Sequence, residues 1–206
     1  MILKAEKIAD LLDSPEKPDD PLVIAPRPDT DKLRQSGSAS VDLRLGCWFM
    51  MLRQSRIPAL DVFEKGEKLP SESELTEYRY VPFGEKIILH PRNFILGGTL
   101  EWIRLSSNLA AYVIGRSSWG RHGLVIATAT AVHPGFTGCL TLELSNLGET
   151  PMTLSPGVEI CQLFLHQVYP ESKYVDKSKF IGSRRPTLGT IQLDETSLKL
   201  AHSRGT

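Results

Sequence analysis

A chain of 206 residues fits one domain with material left over for an arm or tail. Its 41% apolar and 23% charged residues exclude a disordered polymer, and no apolar run approaches the roughly 18 residues of a membrane helix. Twenty-four basic side chains balance 24 acidic ones, so the chain lacks the overall basic footprint of a protein that wraps polymeric nucleic acid.

Residues 3–12 place Ile8, Leu11 and Leu12 at helical spacing between charges, which predicts a short amphipathic helix. The prolines and charges of residues 15–21 end it. From Val41 the period changes: Val41-Asp42-Leu43-Arg44-Leu45 alternates, and Tyr78-Arg79-Tyr80-Val81 and Ile87-Ile88-Leu89-His90 follow more loosely as strands. Residues 52–77 are largely polar and read as an excursion. Farther on, His133-Pro134-Gly135, Asn146-Leu147-Gly148 and Ser155-Pro156-Gly157 separate short alternating runs, which predicts an antiparallel sandwich or barrel. The tail from Pro170 holds Lys173, Lys177, Lys179, Arg184 and Arg185 and few large apolar residues. It reads either as a solvated terminus or as a flap closing on an anionic ligand. Cys47, Cys139 and Cys161, odd in number and widely spaced, fit reduced thiols, and with no basic-then-apolar leader the expected location is the cytoplasm.

Residues 102–142 contain no Asp or Glu, and Arg104, Arg116 and Arg121 are their only formal charges. Inside this block lies Gly115-Arg116-Ser117-Ser118-Trp119-Gly120-Arg121-His122-Gly123. Its glycines permit close backbone approach, its serines donate hydrogen bonds and its arginines can bind phosphate oxygens in pairs, which suits a polyphosphate. The alternative is a glycine-rich turn with solvated arginines. No Walker loop or dinucleotide fingerprint is present. In Cys139-Leu140-Thr141-Leu142-Glu143-Leu144-Ser145 the leucines share one face, and Thr141, Glu143 and Ser145 share the other. Glu143 is then either an outward residue on a solvated sheet or a general base. Zinc deaminase chemistry is excluded, because no His-x-Glu and no Cys-x-x-Cys occurs; Gly-x-Ser-x-Gly is missing as well.

Gly115-Arg116-Ser117-Ser118, Gly120-Arg121-His122-Gly123-Leu124, Pro134-Gly135-Phe136-Thr137-Gly138-Cys139 and Leu142-Glu143 together closely resemble the dCTP deaminases, which share a superfamily with the trimeric dUTPases. Ser40-Val41-Asp42-Leu43-Arg44-Leu45-Gly46, Leu89-His90-Pro91, Thr99-Leu100-Glu101 and Leu154-Ser155-Pro156-Gly157 extend the likeness over about residues 5–185. The resemblance implies a distorted antiparallel β-barrel of the dUTPase-like, jelly-roll type with a short N-terminal helix. Residues 1–188 would form this domain, with a flap over about 170–188, and residues 189–206 a C-terminal extension. It further implies a homotrimer with active sites between subunits.

By the same resemblance, Glu143 would activate water for attack at C4 of cytosine, converting dCTP to dUTP and ammonia. Ser117 and Arg121 would hold that water and stabilise developing charge. Arg116, Ser117, Ser118 and Arg121 would hold the triphosphate, which brings its own Mg²⁺, and Trp119 and Gly120 would also belong to the nucleotide site; no zinc is implied. Ala129, His133, Thr141 and Leu142 would line the nucleoside, and Tyr174 and Lys179 would reach the nucleotide from the flap. Two positions depart from the pattern. The family usually has an aspartate where His133 stands, contacting the deoxyribose and, in dUTPases, helping to position water; a glutamine is usual where Ser183 stands. A histidine cannot serve as a constitutive acceptor. The sequence therefore leaves open a bifunctional enzyme that also splits dUTP, and a non-catalytic nucleotide-binding homologue.

Overall fold

The structure is a computed structural model that describes residues 1–53, 71–128, 131–169, 182–189 and 194–202. In chain order the elements are α1 (Ala5–Asp13), β1 (Val23–Ala25), α2 (Thr30–Gln35), β2 (Val41–Leu52), α3 (Glu72–Leu75), β3 (Thr76–Tyr80), β4 (Ile87–Leu89), β5 (Phe94–Arg104), β6 (Leu109–Gly115), α4 (Ser117–Gly120), β7 (Leu124–Ile126), β8 (Ala131–Val132), β9 (Thr137–Asn146), β10 (Met152–Leu154), β11 (Glu159–Gln167) and α5 (Glu195–His202). Nine strands form one antiparallel sheet with the path β7-β9-β5-β2-β11-β6-β8; β1 joins β5 and β3 joins β2, while β4 and β10 pair separately. The mainly β, antiparallel architecture read from the alternating runs is the one observed.

The sheet curls into a half-barrel because its ladders slip. Register shifts fall between Leu45 and Phe49 on β2, between Gly98 and Trp102 on β5, and between Glu159 and Cys161 on β11. Extra residues at such points bend a strand and increase its twist. Gly46 sits at one of them, where a side chain's Cβ would lie 3.0 Å from the carbonyl oxygens of Gly98 and Thr99. The broken β5–β9 ladder is repaired by a buried hydroxyl: Leu140 N–H donates to Thr99 Oγ1 (2.9 Å), and Thr99 Oγ1 donates to the carbonyl of Glu101 (2.8 Å).

Burial follows the two-residue period most strictly on β9, where Leu140, Leu142 and Leu144 face inward and Thr141, Glu143 and Ser145 are half-buried on the other face. The inward leucines join Leu43, Leu45, Phe49, Ile103, Leu163 and Leu165, all with no measurable exposure. Helix α1 adds Ile8 and Ala9 to this core from its apolar stripe. Among the described residues no helix is long and apolar enough to cross a membrane.

Cys161 lies wholly inside the core. Burial, reinforced by the negative charges of Glu101 and Asp42, pushes its thiol up to about 12. Alkylation of the native protein at pH 8 is therefore expected to leave Cys161 unmodified until the chain is unfolded. Peptide mapping that finds Cys161 alkylated as fast as the half-buried Cys47 and Cys139 would contradict this packing.

Candidate active site

The site begins with the outer face of β9. Glu143 projects from it into a cavity of about 360 Å³, with Thr141, His133, Phe136 and Cys139 among the walls. Backbone bonds fix Glu143 on both sides: its N–H donates to Thr128 Oγ1 (3.0 Å), and its carbonyl accepts from Ala127 N–H (2.9 Å). A carboxylate held this way sits on a strand, with its backbone fully engaged and its side chain left to the cavity. His133 is exposed at the rim, in the turn closed by Phe136 N–H to His133 O (3.2 Å). Cys139 is half-buried on the same wall, and burial raises its thiol above the ordinary range, with the charge of Arg184 opposing. Leu142 points the other way, its side chain wholly in the core, so only its backbone is available to a ligand.

The glycine-rich loop occupies a different place. Arg116 precedes the single turn α4, and the loop closes where Leu147 N–H donates to Gly123 O (2.8 Å). That contact lies beyond Asn146, three residues along β9 from Glu143, or roughly 10 Å at strand spacing. None of residues 116–121 lines the cavity around Glu143. Within one chain the loop and the carboxylate are therefore apart. Ser117, Ser118, Gly120 and Arg121 are exposed. Trp119 is half-buried, packs on the core and donates its indole N–H to Glu159 O (2.9 Å), which anchors the loop.

Two expectations about this loop change in the folded chain. The acid-free block is not an unpaired positive field: Arg104 meets Asp20 (3.5 Å), and Arg116 meets Asp42 (3.3 Å) and Glu159. These acids come from distant segments that a count within residues 102–142 cannot register. Arg121 is exposed and takes part in no ion pair among the described residues. The loop's glycines also differ in purpose. Gly123 (φ +95°) abuts Gly148, where an added Cβ would lie 2.6 Å from a backbone nitrogen, whereas one on Gly120 would meet open space. Gly123→Ala is expected to cost about 3 kcal/mol in urea unfolding, while Gly120→Ala changes stability by less than about 0.5 kcal/mol. Equal stability of the two variants would refute the close approach of the two turns.

Sequence reasoning did not single out the side chains around Arg116. Gln162 Nε2 donates to Asp42 Oδ1 (3.0 Å), so Asp42, Glu159 and Gln162 form the polar surround of the loop's first arginine. The outward phase of Asp42 and Gln162 on their strands was the available signal. Part of the basic tail is also informative: residues 182–189 run beside β9 and contribute Ser183, Thr187 and Leu188 to the cavity. Ser183, standing where a glutamine was expected, spends its hydroxyl on the carbonyl of Arg185 (2.6 Å). Ala129, Tyr174 and Lys179 lie outside the described residues.

A family model described as dCTP deaminase-like matches residues 2–168. The chain belongs to the dCTP deaminase-like family. Similar proteins include the dCTP deaminase of Halorubrum lacusprofundi, 44% identical over 166 residues that cover 80% of this chain and 78% of that protein. The dCTP deaminase, dUMP-forming, of Dictyoglomus thermophilum is 38% identical over 178 residues, covering 84% of this chain and 88% of its own length. The crystal structure of 2'-deoxycytidine 5'-triphosphate deaminase from Agrobacterium tumefaciens aligns with a TM-score of 0.56 at 22% identity, over 80% of this chain and 46% of that one. This last likeness establishes a shared dCTP deaminase-like fold, with the chain spanning just under half of that protein.

Proposed function

We propose that the protein is a hydrolase that deaminates dCTP to dUTP and ammonia without zinc, with Glu143 as general base. The observation that carries this reading is the Glu143 carboxylate on a rigid strand, facing a cavity of nucleoside dimensions in a chain of this family. Glu143 takes a proton from water as the resulting hydroxide adds to C4 of cytosine. The carboxylic acid passes that proton to N3 and then relays the proton of the new C4 hydroxyl to the exocyclic nitrogen; the C4–N bond breaks, and ammonia leaves as the C4 carbonyl forms. Ser117 and Arg121 hold the water and stabilise the charge that develops during addition. Arg116, Ser117, Ser118, Trp119, Gly120 and Arg121 receive the triphosphate, with Tyr174 and Lys179 approaching from the flap. Ala129, His133, Thr141 and the Leu142 backbone border the nucleoside.

Because the loop and Glu143 are separated within one chain, the complete site combines the loop of one copy with the carboxylate of another. A homotrimer supplies this arrangement. Its support is an apolar outer face on neighbouring strands β6 and β11, where Tyr112 and Ile114 are 43% and 50% exposed beside half-buried Phe164. Such a patch fits a second copy of the chain. Light scattering is expected to give three chains per particle, and a mass of one chain would overturn the composite site.

The loop's arginines and hydroxyls would hold a triphosphate that carries its own Mg²⁺, and the ion would offset part of the phosphate charge. Incubating the protein with dCTP and Mg²⁺ should release ammonia and dUTP in equal amounts. Saturable dCTP binding with no ammonia would instead establish a nucleotide-binding homologue.

A second reading is favoured by relatives named dCTP deaminase, dUMP-forming, at 36–39% identity. Here the same site would also hydrolyse dUTP, and the product of dCTP would be dUMP with pyrophosphate. His133 weighs against it by removing a constitutive acceptor from the cavity rim. Product analysis decides between the two, and His133→Asp is the variant expected to gain dUTP cleavage.

A further inference from the structure

The first arginine of the glycine-rich loop is held through both its backbone and its side chain. Arg116 N–H donates to Ile160 O (3.1 Å), and the Trp119 indole N–H donates to Glu159 O (2.9 Å), so the main chain of β11 carries the start of the loop. The guanidinium lies between two carboxylates: Nη1 stands 3.3 Å from Asp42 Oδ1 and donates to Glu159 Oε2. Asp42 is fixed in turn by Gln162, whose Nε2 donates to the same Oδ1 (3.0 Å). Because backbone bonds already place the loop, the Glu159 carboxylate is not needed to hold it there.

A guanidinium flanked by two carboxylates leaves a local excess of negative charge, which opposes the approach of a phosphate chain. The contact is solvated, with the Arg116 and Glu159 side chains 32% and 52% exposed, and an exposed pair of this kind is weak enough for a phosphate to displace. The displaced carboxylate has somewhere to go. Glu159 borders a cavity of about 410 Å³ whose walls also carry Arg27, Lys32 and Arg44.

Building on the deaminase reading, in which the loop receives the triphosphate, we propose that the Glu159 carboxylate competes with the nucleotide's phosphates for Arg116 and so sets the affinity of the loop for them. Binding exchanges the Arg116–Glu159 pair for an Arg116–phosphate pair, while Asp42 stays with Gln162. Glu159 is thereby a specificity-determining residue. It penalises a nucleotide more as its phosphate charge rises, and Mg²⁺ carried on the phosphates lessens the penalty.

The test uses Glu159→Gln, which keeps the size of the side chain and removes its charge. Calorimetric titration of dCTP with Mg²⁺ into this variant and its parent, both in the Glu143→Gln background, reads binding apart from turnover. In about 0.05 M NaCl, Glu159→Gln is expected to bind dCTP about three- to tenfold more tightly, the effect of removing one charge close to several. In about 0.5 M NaCl the gain should fall below about twofold, because exposed charges are then screened. With dCMP, which carries fewer phosphate charges, the gain at low salt should be smaller than with dCTP. The ligand-free variant should melt within a few degrees of its parent, since β11 and the loop are joined through the backbone. Unchanged dCTP binding at low salt overturns the inference, and weaker binding overturns it by making Glu159 an aid to Arg116 and not its rival. A gain equal at both salt concentrations, or equal for dCMP and dCTP, overturns it as well. If the unmodified protein releases ammonia from dCTP and the gain is missing, this inference alone fails. If no ammonia is released but the salt-sensitive gain is found, the deaminase reading fails and the competition for Arg116 stands.

Discussion

Replacing Glu143 with Gln is expected to lower kcat for dCTP deamination by roughly 10²–10⁴-fold, the usual contribution of a positioned acid–base group. The amide keeps the size of the carboxylate but cannot take the proton from water. The backbone bonds to Thr128 and Ala127 do not involve the side chain, so the strand and the cavity should persist. A melting temperature within a few degrees of the parent, with dCTP binding retained, would assign the loss to chemistry. Ammonia release at the unmodified rate would remove Glu143 from the mechanism.

The second large effect concerns stability. Glu101 is only 2% exposed and accepts from Arg44 twice, at the backbone N–H (2.8 Å) and at Nε (2.7 Å). Arg44→Met would leave that carboxylate buried with the backbone donor alone. Removing one partner of a buried pair typically costs 3–5 kcal/mol, and the lower figure of about 3 kcal/mol applies here because the Arg44 side chain is 37% exposed and partly solvated. The double variant Arg44→Met, Glu101→Leu is expected to recover more than half of this loss, since no charge is then left in the core. Urea unfolding of the two single variants and the double variant checks both statements. Additive losses would mean that the two side chains contribute independently.

The parts of the molecule legible in the sequence are those governed by local periodicity. The alternation of β9 places Glu143 and Thr141 opposite the core leucines with no knowledge of the neighbouring strands, and the burial along β9 follows it residue by residue. The amphipathic spacing of Ile8, Leu11 and Leu12 likewise identifies α1. What local pattern cannot carry is the identity of long-range partners. Arg116 looks solvated in a segment without acids, yet its counter-charges arrive on β2 and β11, with Glu159 lying 43 residues away. Gly123 looks like a ligand-binding glycine, yet the close passage of Gly148 sets its need for a missing side chain. The tail shows the same limit. Its composition reads as solvated, but Arg185 finds Trp48, and Pro186 finds Tyr78, 108 residues back. Only the folded chain brings Thr187 to Glu143's cavity.

The separation of the glycine-rich loop from Glu143 makes complementation the most direct test of a shared site. Chains carrying Glu143→Gln and chains carrying Arg121→Ala, each inactive alone, are unfolded together, refolded as mixed assemblies and supplied with dCTP and Mg²⁺. If each site takes its carboxylate from one copy and its loop from another, about a quarter of the sites in a random mixture are intact, and ammonia release should return to about that fraction of the unmodified rate. A mixture that assembles but stays as inactive as its separate components would contradict the composite site.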